Sequence, residues 1–115
     1  MAPPRLLPLG PACIATAFAW GCSAEVSPAY DDPVPEARIG AIRRSAESLD
    51  RSQYGNNIES LDDNDPSVRL AAIGALQRMS GETLGYRFNA PSDERAAAIA
   101  RWKAWLAKQP AQPRA

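Results

Sequence analysis

The sequence predicts an all-α protein: a short α-solenoid of about two helical hairpins, four helices in all, capped by a tryptophan-bearing C-terminal helix. Three observations carry that expectation. Apolar residues recur at spacings of three and four over long stretches, the period of a helix with one buried face. An arginine with alanine and isoleucine three and four residues later occurs three times, at Arg38, Ala41 and Ile42, at Arg69, Ala72 and Ile73, and at Arg95, Ala98 and Ile99. Each copy follows a proline (Pro35, Pro66 or Pro91), and the first two lie 31 residues apart, within the range of periods shown by stacked helical repeats.

The first helix spans Pro35 to Ser48, with Ile39, Ile42 and Ala46 on one stripe and Arg38, Arg43 and Arg44 outside it. Asp50 and Gln53 have the form of a capping box, and Tyr54, Ile58 and Leu61 follow at helical spacing. Gly55, Asn56 and Asn57 are poor helix formers, so this second helix depends on tertiary packing. The third is the clearest: Asp65 caps, Pro66 suits the first position, Val68, Ala72, Leu76 and Met79 share a face, and Ser80-Gly81 ends it. The fourth runs from Ser92, as cap, to Lys108, with Asp93 and Glu94 at the positive end of its dipole and Ile99, Trp102, Trp105 and Leu106 as its stripe. Between them Leu84, Tyr86 and Phe88 alternate with other residues, the pattern of a short extended stretch with its apolar side on the helices.

A chain of 115 residues holds one domain. Formal charge is zero, without the basic excess of a general nucleic-acid binder. The charges are divided along the chain: residues 25–65 hold ten acids and four arginines, residues 66–115 eight bases and three acids. Opposite ends of such a chain attract head to tail. Histidine is absent, which removes Ser-His-Asp and Cys-His catalysis, His-ligated zinc and the haem attachment motif.

Residues 1–21 read as a signal peptide. Arg5 precedes a charge-free, mostly apolar run from Leu6 to Trp20 that is too short and proline-broken to span a bilayer comfortably. The stretch Ala19-Trp20-Gly21-Cys22 resembles the lipobox of bacterial lipoprotein signals, which implies lipid attachment at Cys22. Secretory cleavage after Ala24 and an uncleaved N-terminal segment are the alternatives. Cys13 would leave with the signal, so the exported chain holds at most one cysteine and no internal disulfide. Residues 22–34, rich in proline and aspartate, read as a flexible tether, 35–108 as the folded domain and 109–115 as a disordered tail.

The segment Asp65-Pro66-Ser67-Val68-Arg69-Leu70-Ala71-Ala72-Ile73-Gly74-Ala75-Leu76 resembles the second helix of HEAT repeats, particularly the short bacterial type also found in phycobilisome lyases. The resemblance extends over about Pro35 to Lys108, its C-terminal part being similar to an extension of some bacterial HEAT-like proteins. It implies an inter-repeat polar ladder through Asp65 and Arg69, with Arg38 in the corresponding place one repeat earlier, and a habit of binding macromolecules. It brings no catalytic residue, metal ligand or cofactor.

Asp62-Asp63-Asn64-Asp65 fails as a calcium loop, because Val68 and Gly74 stand where an EF-hand needs glycine and glutamate. Trp102 and Trp105 fit either capping of the solenoid end or an interaction surface. The expected function is a lipid-anchored, non-catalytic protein-binding module of a bacterial envelope, with another protein and the membrane as partners and no nucleic acid. The alternatives are a secreted structural repeat protein and a lyase-related enzyme.

Overall fold

The computed structural model describes residues 26–111 together with Pro4. The rest of the expected signal peptide, Cys22 and residues 112–115 lie outside the described residues. Four α-helices follow in order: α1 (Pro35–Glu47), α2 (Tyr54–Glu59), α3 (Pro66–Ser80) and α4 (Ser92–Ala107). Short 3₁₀ turns at Arg51–Gln53 and Ser60–Asp62 flank α2. No strand occurs among the described residues.

The termini follow local chemistry. Pro35 and Pro66 open α1 and α3, where a missing N–H costs nothing. The Asp65 carboxylate accepts from Ser67 N–H at 2.7 Å, and Gly81, at φ 79°, closes α3 by donating its N–H to Gln77 O. Past the end of α1, Leu49 itself takes a left-handed φ of 51°, a conformation disfavoured for a side chain of its size. Asp50 caps only a 3₁₀ turn, through Ser52 N–H, and α2 is just six residues long. The glycine and paired asparagines limit regular helix there, as their propensities require. Pro91, not Ser92, occupies the capping position of α4, and no side chain caps that end.

Contacts at the two ends of α3 fix the arrangement. At its start, Arg69 donates to Phe88 O just ahead of α4, and Arg38 near the start of α1 reaches Asp63 just ahead of α3. At its end, the Tyr54 hydroxyl donates to Met79 O, and the Tyr54 ring meets Trp105 edge-on at 5.0 Å, near the end of α4. Thus α1, α3 and α4 run in one sense. The segment 50–62, with α2 at its centre, is the first return leg, and the non-helical connection 81–91 is the second. The three arginine-led copies therefore open three co-directional helices.

The core is contiguous across these elements. Ile42 and Ala46 of α1, Ile58 and Leu61 of the first return, Val68, Ala72 and Leu76 of α3, and Ile99 and Trp102 of α4 are all buried in one cluster. Trp102 is fully buried, and its indole N–H donates to Thr83 O at 3.0 Å. The connection is neither extended nor free: Leu84 and Gly85 take left-handed φ values of 52° and 75°, and buried Tyr86 donates its hydroxyl to Leu61 O at 2.6 Å.

The segment expected to be tether is partly docked. Ala29 N–H donates to Ala37 O, the Tyr30 hydroxyl donates to Asn57 Oδ1 at 2.8 Å, and Pro28 lies over Gly40. A phenol ring with a buried amide within reach outweighs the solvation expected of a proline- and aspartate-rich stretch. Pro28 to Val34 therefore form a strap on the folded body.

Candidate functional site

Two arrangements of side chains stand out: a ladder of arginines at the helix starts, and a groove between α1 and α3.

The ladder repeats at the 31-residue offset. Arg38 Nη1 donates to Asp32 O (2.7 Å), and Arg69 Nη1 donates to Asp63 O (2.8 Å), each reaching back to the loop ahead of its own helix. Asp32 and Asp63 in turn accept from the N–H two residues on, Val34 and Asp65. The remaining donors reach forward. Arg38 Nε and Nη2 meet both oxygens of Asp63 (2.9 and 3.2 Å), and Arg69 Nε meets Phe88 O (3.0 Å). Arg69 is only 8% exposed and is held by backbone carbonyls, with no carboxylate partner among the described residues. Arg95 completes the backward half of a third rung, through Nη1 to Ala90 O at 2.8 Å, but its buried Nε has no acceptor among the described residues.

Arg38 and Arg69 thus bridge successive loops, whereas Asp65 serves its own helix as N-cap. The acid facing Arg38 is Asp63. That role was legible in the sequence, since Asp32 and Asp63 each stand six residues ahead of a ladder arginine.

Trp102 and Trp105 stack edge-on at 5.2 Å, the first sealed in the core and the second half-buried against Tyr54. Pairs of this geometry add about 0.5–1.5 kcal/mol beyond the area they bury. Cys22 lies outside the described residues.

A buried polar cluster had no sequence signal beyond its composition. Asn57 Nδ2 donates to Ser45 Oγ (2.9 Å), Ser45 Oγ donates to Ile42 O (2.7 Å), and Tyr30 completes Asn57 from the strap. Burial pushes the Tyr30 hydroxyl above its ordinary pKa; the Ser45 hydrogen bond opposes the rise and Asp50 adds to it. Tyr86 is likewise raised by burial, against the opposing charges of Arg69 and Arg95.

The groove between α1 and α3 holds about 250 Å3. Ile42, Ala46, Ala71 and Ala75 line it, and Gly74 leaves its floor open, with nothing within 4 Å of where a Cβ would stand. Arg43 and Arg78 flank it, both exposed and neither in an ion pair among the described residues. An apolar trough between two free guanidiniums suits a side chain or backbone segment carrying carboxylates. Among the described residues no cluster of three metal-ligating side chains occurs, and no helix is long and apolar enough to cross a membrane. Compared with known proteins, the chain matches no family model, no curated protein and no solved structure.

Proposed function

We propose that the chain is a HEAT-like, lipid-anchored interaction module of a bacterial cell envelope, which binds a partner protein and performs no catalysis. The observation that carries the reading is the α1–α3 groove, where an apolar floor lies between Arg43 and Arg78 with no acid among the described residues paired to either. The repeated arginine rungs support the HEAT-like part, because both Arg38 and Arg69 tie the loop ahead of their own helix to the loop that follows. The lipid anchor rests on the Gly21-Cys22 sequence alone.

A photo-crosslinking residue at Gly74 tests the groove. In native membranes it should give one discrete adduct, which disappears when Arg43 and Arg78 are both changed to glutamate. Equal labelling from a probe at Glu59, on the exposed side of α2, would defeat the assignment. For the anchor, detergent partitioning should move the chain to the aqueous phase on Cys22→Ala; an unchanged distribution would remove the lipid from the proposal.

A further inference from the structure

We infer that the cavity beneath the strap binds a small zwitterion, an α-amino acid with a short apolar side chain. It lies on the side of α1 away from the α1–α3 groove, so the inference stands independently of that groove.

The cavity holds about 260 Å3 and joins an apolar wall to a few polar groups, the usual form of a small-molecule site. The strap supplies one side of it through Pro28, Ala29 and Tyr30, and α1 supplies the other through Ala41. The Ala29–Ala37 and Tyr30–Asn57 bonds hold the strap in place, so the wall is built before any ligand arrives.

Its charges point to the ligand. Of the described residues lining the cavity, only Arg44 and Asp50 are charged, and they carry opposite signs. Neither forms an ion pair with the other or with any other described residue. Opposite charges that share a cavity without bonding leave room between them for a molecule that bonds to both.

The polar atoms left over set its orientation. Asp50 Oδ1 accepts from the Ser52 N–H and hydroxyl, while Oδ2 has no partner among the described residues. The Ser48 hydroxyl donates to Arg44 O at 2.9 Å, and its oxygen retains the capacity to accept. Both residues stand at the C-terminal end of α1, the negative pole of its dipole, which favours a cation. An ammonium group therefore belongs at Asp50 and Ser48, and a carboxylate at the Arg44 guanidinium, one turn back along α1. Pro28 and Ala41 are left to receive a short apolar side chain.

The test is a titration of the full, isotope-labelled chain, followed at its backbone amides by nuclear magnetic resonance. L-Leucine should shift the Ala29, Tyr30 and Ser48 signals saturably, with a Kd in the millimolar range or tighter. Isocaproate, which is leucine without its ammonium group, and isoamylamine, which is leucine without its carboxylate, should each bind at least about tenfold more weakly. Arg44→Met and Asp50→Asn should each weaken leucine by about tenfold or more, the asparagine keeping the oxygen that holds Ser52. Because the strap is one wall of the site, leucine at about a hundred times its Kd should slow hydrogen exchange of the Ala29 N–H by about a hundredfold. The absence of a saturable shift overturns the inference. Equal binding of either analogue also overturns it, and assigns the cavity to a simple anion or a simple cation. Leucine binding that both variants retain, or that leaves Ala29 exchange unchanged, places the ligand elsewhere and overturns it as well.

Discussion

Replacing Arg69 with methionine isolates the contribution of one complete rung. Methionine keeps most of the apolar stem and removes every donor. Three bonds are lost, to Phe88 O at 3.0 Å, Asp63 O at 2.8 Å and Asn64 O at 3.2 Å. Hydrogen bonds to a charged group contribute about 1.5–3 kcal/mol each. Asn64 is exposed, so water replaces the third at little cost, and the Asp63 and Phe88 loops are half-buried, which discounts the other two. The expected loss is about 2–4 kcal/mol. A domain of this size has roughly 4–13 kcal/mol in total, so the variant should be visibly destabilised. Arg95→Met is the internal comparison, losing one bond and also removing an orphaned N–H, for a net change of about 0–1 kcal/mol. Urea unfolding followed by far-UV circular dichroism measures both. A loss below about 1 kcal/mol for Arg69→Met, or equal losses for the two variants, would refute the view that the rungs hold the loops together.

Trp102→Ala should cost about 3–5 kcal/mol, enough to leave much of the population unfolded, and near-UV circular dichroism would register the loss of the tryptophan pair. Tyr86→Phe should cost about 1–3 kcal/mol in a denaturant titration by orphaning Leu61 O. It should also reduce alkaline sensitivity. A hydroxyl whose pKa is raised in the folded state stabilises fully below about pH 10 and loses that contribution as pH climbs through the raised value, so wild-type should melt at a falling temperature above pH 10 and Tyr86→Phe less steeply. Gly74→Ala, in an open helical position, should gain about 0.5–1 kcal/mol in thermal unfolding, whereas Gly81→Ala at φ 79° should lose about 1 kcal/mol.

Helix boundaries were legible where a local signal acts alone. Pro66, the Asp65 carboxylate and Gly81 define α3 without help from the rest of the chain. They failed where competing terms are close: Asp50 looks like a helix cap, yet Gly55, Asn56 and Asn57 follow, and the result is a short helix between two 3₁₀ turns. The alternation of Leu84, Tyr86 and Phe88 suggested an extended stretch because periodicity does not register the left-handed residues at 84 and 85. At the ladder, the arginines were visible as a repeat, but their acceptors are mostly carbonyls, which every residue carries and no sequence pattern marks. Asp63 was readable through its offset from Asp32. The groove was not, because Arg43 and Arg78 lie on different helices, and only the side-by-side packing of α1 and α3 brings them together.

The strap decides how the molecule bears load. A pull applied at residue 26 does not simply unwind α1 from Pro35: it meets the Ala29–Ala37 backbone bond to the first turn of α1 and the Tyr30–Asn57 bond to α2, with Pro28 bearing on Gly40. Traction from the N-terminal side is thus delivered through Asn57 of α2 and Ser45 of α1 into the centre of the fold, and is shared by two helices while that clasp holds.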